Sequence, residues 1–330
     1  MNVSKTMLSC LILIGSLCGQ SVVAQSEALK DAERSTIVFD VNVKKFRDSS
    51  MMKDFDLKRM MNKLNVPNTN DVEVSKMNRV YGSIQVPESP LTLHIGPGED
   101  LPLNFYLRFE FKDKDSAEEM FNEIKDGGSD THEVNGKTYY SPNDGRTPPN
   151  LRLHRIDDTT FEMGTEKYVM QSDRNFLTKR LADFWKQVPG STAMRLSLDI
   201  ESNRAAVSEL IEMAKLNVPA EVEGMLNLVG DMHAFTMGVD LDAKKMLMLR
   251  ASAKDSEATE KLRKGLDGIL AMGKYAGMQQ VQNSDMEEEE KKTLTTMLSG
   301  LKATADGNVV SINIEKADGL ENVVDRLKNQ

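Results

Sequence analysis

The chain has 330 residues and a formal net charge of −9, with 51 acids set against 42 lysines and arginines. That balance argues against nucleic acid and anionic membrane surfaces as partners, because both are polyanions that reward Lys and Arg. The length suffices for one large or two ordinary domains that bury well over half of their unfolded surface.

Residues 1–24 read as a secretory signal. Lys5 gives the positive start, positions 7–17 a short apolar run, and Val22-Val23-Ala24 a small-residue cleavage site. The run is too short for a membrane span, and no later stretch approaches one. Cleavage after Ala24 would leave a secreted or periplasmic protein with no transmembrane helix. A lipid anchor on Cys18 is the alternative, but Leu17 is too bulky for a peptidase that needs a small residue there, and Cys10 comes before the apolar run is complete. Both cysteines lie in this leader, so the mature chain would hold no disulfide and no thiolate zinc site.

The first half, residues 25–190, opens with the β-branched strand Thr36 to Val43. A helix bearing Met51, Met52, Phe55, Met60, Met61 and Leu64 follows and stops at Pro67. Strands are expected at 80–86 and 103–112. In the second, Leu103, Phe105, Leu107, Phe109 and Phe111 alternate with Asn104, Tyr106, Arg108, Glu110 and Lys112, giving one apolar and one solvated face. Ser116-Ala117-Glu118-Glu119 has capping-box spacing before a helix with Met120, Phe121 and Ile124. Asn135-Gly136 marks one hairpin turn and Asp157-Asp158 another. Asp173 then caps a helix carrying Phe176 to Val188, ended by Pro189-Gly190.

The second half, residues 191–330, repeats the order. It reads as a strand at 194–200, helical segments at 205–216 and 218–229, a hairpin of 234–241 with 246–251, and helices from Ser256 and over 285–303. A strand at 309–314 and a helix at 320–327 complete it. Short fragments recur in order: Lys63-Leu64-Asn65-Val66-Pro67 as Lys215-Leu216-Asn217-Val218-Pro219, Lys114-Asp115-Ser116 as Lys254-Asp255-Ser256, and Phe39-Asp40-Val41 as Leu198-Asp199-Ile200. The fold class expected is α+β, with two tandem ferredoxin-like (βαββαβ) halves whose antiparallel sheets are covered by helices.

Chemistry-bearing patterns are sparse. Gly136-Lys137-Thr138 resembles the end of a phosphate loop, but Thr131 stands where its first glycine belongs. His132-Glu133 begins like a zinc-protease helix, yet Gly136 occupies the second histidine position and Asn135-Gly136 would break the helix. His94, His132, His154 and His233 are scattered, and His154 with Asp157 is the pair most able to touch a metal. The acidic run Glu287 to Glu290 suits a helix N-terminus, where it complements the macrodipole. The many methionines sit mostly at core-like positions, with an adaptable partner surface as the alternative. The outer face of the 103–112 strand lacks the aromatic pair of an RNA-binding sheet. The proline- and glycine-rich loops at 86–102 and 141–150 are the expected rim of any ligand site.

The leader, the two βαββαβ halves, the Lys-Asp-Ser helix starts and the strand around Asp306-Gly307-Asn308-Val309-Val310-Ser311-Ile312 resemble bacterial secreted two-repeat α+β proteins of unknown function. That resemblance implies no catalytic, cofactor or metal residue. Two function classes follow. One is an exported, non-enzymatic binding or structural protein of the cell envelope, with a protein or apolar small molecule as partner and no cofactor. The other is a hydrolase or metal-assisted enzyme that assembles a site between the halves from His94, His132, His154 and nearby acids.

Overall fold

The computed structural model describes residues 34–52, 76–85, 99–101, 103–125, 129–143, 147–170, 177–215 and 227–328. The leader, most of the helix expected after Met52, the 86–98 part of the first loop, His94 and the Asp173 cap lie outside the described residues. The fold is α+β with extensive antiparallel sheet. Two compact units form, one from residues 1–44, 56–182 and 202–210, the other from 45–55, 183–201 and 211–330, so each borrows short segments across the break expected at Gly190.

In unit 1 the elements run β1 (Ile37–Val41), β2 (Met77–Gln85), β3 (Asn104–Phe111), the helix α2 (Lys114–Lys125), β4 (Ser129–Val134), β5 (Lys137–Pro142), β6 (Leu151–Arg155), β7 (Thr160–Thr165) and the short helix α3 (Glu166–Val169). The helix α1 (Val43–Asp48) follows β1. The sheet order is β1-β2-β3-β7-β6-β5-β4, antiparallel at every step. The apolar face read in 103–112 is realised, since Phe105, Leu107 and Phe111 are buried against α2 in a core with Phe121, Phe161 and Met163, but the opposite face is not all solvated: Tyr106 is buried there under Tyr168 and Val169. Phe161 stacks on Phe111 at 5.4 Å, lies 5.1 Å from Phe109 and meets Phe121 edge-on at 5.8 Å. Both expected hairpins form. Asn135 and Gly136 have φ of 54° and 72°, the left-handed pair that a two-residue primed turn requires.

Unit 2 contains α4 (Lys179–Trp185) in part, β8 (Met194–Asp199), β9 (Met232–Val239), β10 (Lys245–Ala253), α6 (Ser256–Gln282), α7 (Glu288–Gly300), β11 (Ala303–Asp306), β12 (Val309–Glu315) and α8 (Leu320–Lys328); α5 (Arg204–Lys215), between β8 and β9 in the chain, has residues 204–210 in unit 1 and 211–215 in unit 2. Its sheet order is β8-β9-β10-β12-β11. The acidic run does begin a helix: Glu287 and Glu290 form a reciprocal capping box at the start of α7.

Three expectations change. A ferredoxin-like unit interleaves its strands through crossovers, whereas here β1 pairs with β2, and β8 with β9, directly and antiparallel. Both orders need the same one-faced apolar strands, so periodicity alone does not separate them. The cap of α2 is Asp113, whose Oδ1 accepts the Ser116 N–H at 2.8 Å, just as Asp255 accepts from Ala258 at 2.8 Å to start α6. The tandem Lys-Asp at 112–115 made the literal Lys-Asp-Ser match slip by two residues. The helix expected over 285–303 ends at Gly300, and Ala303–Asp306 turns through Gly307 (φ 54°) into β12 as a hairpin.

Candidate functional site

The face of unit 1's sheet opposite α2 carries a continuous polar row. Reading register partners across the strands gives Asp40, Tyr81, Arg108, Glu162 and His154, and the row continues through Tyr139 to His132. Directly opposed residues share a face, so seven strands deliver these groups side by side. Part of the row is sealed. Tyr106 donates its hydroxyl to the fully buried Glu162 at 2.9 Å, and α3 lays Tyr168 and Val169 over Tyr106 and Tyr139. Arg79 clamps the buried Asp40 through two bonds of 2.7 and 2.6 Å, and that carboxylate raises the guanidinium's pKa. These groups hold the sheet rather than face solvent.

The row opens where β5 meets β6. Their ladder is reduced to one register pair, Tyr140 with Leu153, so toward the hairpin tips the two strands lack regular ladder pairing. That would orphan the Thr138 carbonyl, and His154 Nδ1 meets that oxygen at 2.8 Å. A carbonyl only accepts, so Nδ1 carries a proton and Nε2 is the ring nitrogen turned away from Thr138. Tyr139 supports the imidazole with ring centroids 4.9 Å apart.

The gap is an open depression of about 770 Å³ lined by Arg108, Gly136, Lys137, Thr138, Tyr140, His154, Arg155 and Ile156. Three cations and a histidine face it, and no carboxylate is among the lining residues. Arg155 is anchored by its bonds to the Asp157 and Asp158 carbonyls at 3.1 and 3.2 Å and lies 3.8 Å from the Asp158 and 4.0 Å from the Glu118 carboxylate, and Arg108 lies 3.4 Å from Glu110. Lys137 forms no ion pair among the described residues. Ile156, 37% exposed, is one of few large apolar side chains left to solvent. Cationic donors beside an apolar wall suit an organic anion.

At the opposite ends of β4 and β5 lies a smaller depression of about 340 Å³, lined by Asp130, His132, Ser141, Pro142, Asn143, Thr147, Pro149 and Arg152. Five of these residues come from the loop at 141–150, which lines this depression and not the one between β5 and β6. His132 Nε2 and Ser141 Oγ are 2.7 Å apart, and Asn143 bonds Asp130 at 3.2 Å. Arg152 is occupied by the Pro149 and Leu151 carbonyls and by the Glu166 carboxylate at 2.5 Å.

The structure thus brings His132 and His154 to one face and leaves His233 elsewhere, 3.5 Å from Glu201 in a different setting. His154 and Asp157 do not converge. Asp157 instead accepts the Thr159 N–H at 2.8 Å, which lowers its pKa. Asp240 pairs with Lys45 at 2.6 Å and Asp242 accepts from Ser50, both in unit 2. No group of three or more His, Cys, Asp or Glu is placed to hold a metal among the described residues. Sequence reasoning missed Arg108, Lys137 and Arg155, because a cation on an alternating strand or at a turn looks the same whether it faces bulk water or a depression.

No protein-family model and no curated protein matches this chain. Among solved structures it is similar to crystal form IV of TP0453, at 10% identity and a TM-score of 0.40 over 92% of this chain and 97% of that one. Crystal form III of TP0453 aligns at 11% identity and a TM-score of 0.37, covering 96% and 97% of the two chains. Crystal form I does so at 9% identity and a TM-score of 0.34, covering 92% and 99%.

Proposed function

We propose that this is an exported, non-enzymatic binding protein of the extracytoplasmic space, and that it takes a small organic anion in the depression between β5 and β6. The observation that carries the reading is the convergence of Arg108, Lys137 and Arg155 on one depression in a chain of net charge −9. Fixed cations there offer charge-assisted hydrogen bonds to a phosphate or carboxylate, Ile156 and Tyr140 offer apolar contact, and His154 offers its second ring nitrogen for a hydrogen bond. Export rests on the leader, and the form isolated from its native host should begin at Gln25.

The two units are read as copies of one ancestral motif. β1-α1-β2-β3-α2 and β8-α5-β9-β10-α6 share element order, each third strand pairs next with the second strand of a later hairpin, and Asp113 and Asp255 cap matching helices. Buried Asp40 and Asp199 occupy comparable places near the ends of the first strands.

Phenyl phosphate, an anion with an apolar ring, is the probe for calorimetric titration. Saturable binding should weaken at least tenfold in Arg108→Gln and in Lys137→Gln. Equal binding by wild type and both variants, or no binding at millimolar probe, would refute the site. A hydrolytic second reading draws on one observation, the 2.7 Å bond between His132 and Ser141. Covalent capture of Ser141 by a fluorophosphonate, lost in His132→Ala, would favour it over simple binding.

A further inference from the structure

The long helix α6 is anchored at its start, where Ala258, Thr259 and Leu262 are buried. Farther along, one face is left open. Gly268, Ala271, Met272, Tyr275, Ala276 and Gln279 recur at spacings of three and four and all are exposed, Met272 by 60% and Tyr275 by 68%. Those two and Ile156 are the large hydrophobic side chains exposed among the described residues. Two such groups on one helical face are not a random scatter of surface apolar residues.

A second observation is the helix's glycines. A mid-helix glycine costs about 1 kcal/mol relative to alanine, so each invites a reason. At Gly265 and Gly277 a Cβ would press on Leu228 and Leu298, so the fold itself uses their smallness. At Gly268, and at Gly273 on another side of the helix, a Cβ would meet nothing within 4 Å. The smallness of Gly268 serves no neighbour among the described residues, and on the exposed face it would let another helix approach closely beside Met272.

The charges around the face indicate what approaches. Lys261 and Lys264 continue the same face toward the start of α6, with side chains 65% and 70% exposed; Lys261 pairs with Asp231 at 2.6 Å and Lys264 lies 3.5 Å from Glu260. Asp285, Glu287, Glu288 and Glu289 follow its other end and are all exposed. We propose that a second copy of this chain covers the face, with the two α6 helices antiparallel about a two-fold axis between Met272 and Tyr275. In that arrangement Met272 meets Tyr275, Ala271 meets Ala276, and Gly268 meets Gln279 of the other copy. The basic start of each helix then lies over the acidic end of its partner, which a parallel pair would not achieve. This surface lies wholly in unit 2 and does not depend on the anion site.

The stripe is about 17 Å long at 1.5 Å per residue. That places the contact below the standard interface size, so dimers should form between about 10 µM and 1 mM rather than at nanomolar concentration. Sedimentation equilibrium of the full protein tests this. The wild type should show a monomer–dimer equilibrium. Met272→Glu and Tyr275→Glu, both at exposed positions and checked for unchanged circular dichroism, should each raise the dissociation constant at least tenfold. Lys264→Glu should weaken association several-fold, and adding Asp285→Lys with Glu289→Lys should restore it. A monomer throughout the range, dimers indifferent to Met272→Glu, or capture by uncharged phosphatidylcholine vesicles in place of self-association would each overturn the proposal.

Discussion

Replacing His154 with alanine tests whether this ring satisfies the backbone where β5 and β6 lack ladder pairing. In the wild type its Nδ1–H satisfies the Thr138 carbonyl at 2.8 Å, and its ring packs on Tyr139 at 4.9 Å. Losing the donor should cost about 1 kcal/mol, and losing the ring contact about another 1 kcal/mol. The sum of about 2 kcal/mol corresponds to a fall in melting temperature of roughly 4–8 °C for a unit of this size. His154→Asn can still donate an amide N–H toward Thr138 but brings no ring, so it should recover about half of the loss. Urea unfolding of the unliganded protein, read as a midpoint change at constant m-value, gives the comparison. If alanine costs less than about 0.5 kcal/mol, or asparagine is no better than alanine, the Thr138 carbonyl is satisfied some other way and the argument fails.

The buried ring cluster predicts that Phe161→Ala costs about 3–5 kcal/mol by leaving a cavity among Phe109, Phe111 and Phe121, measured in the same unfolding assay. Gly136→Ala, at φ 72° with open space around its Cβ position, should lose about 1 kcal/mol through backbone strain alone, visible as a lower urea midpoint. Acid should loosen the helix starts and the β6–β7 turn. Ser116 holds Asp113 below the ordinary carboxylate value, the Thr159 N–H does the same for Asp157, and the Arg263 side chain lowers Glu260 to about 2. A carboxylate with a depressed folded pKa stabilises above its unfolded value and loses that contribution as pH falls through the folded one. Melting temperature should therefore decline below about pH 4.5 and keep declining toward pH 2, and Glu260→Gln should flatten the lower part of that curve.

Much of the architecture was legible where a strand keeps one apolar face, as β3 does; β7, buried along its whole length, carries no such alternation. Phe105 to Phe111 alternate in sequence and alternate in space, and Asn135-Gly136 can hardly be anything but a primed turn. The helix caps were legible in kind but not in register, since Asp113 and Asp115 are equally suitable residues and only packing chooses between them. Strand order was hidden, because pairing is decided by which edges meet and not by the periodicity within a strand. β11 was hidden by its length of four residues and by the helix pattern running into it, although Asp306-Gly307 is a turn signal in its own right. The candidate site was half visible. The 141–150 loop stood out through its prolines but lines the smaller depression, whereas the cations of the proposed site come from β3, the β4–β5 turn and the end of β6 and became neighbours only through the strand order.

The most direct test of the binding account is to watch the four histidine rings by NMR while phenyl phosphate is titrated into the protein. His154 lines the depression and His233 lies in unit 2 beside Glu201. The account predicts that the His154 ring signals move saturably, that His233 stays in place, and that the movement is lost in Lys137→Gln. Ring signals that never move, or that move alike at His154 and His233, would contradict it.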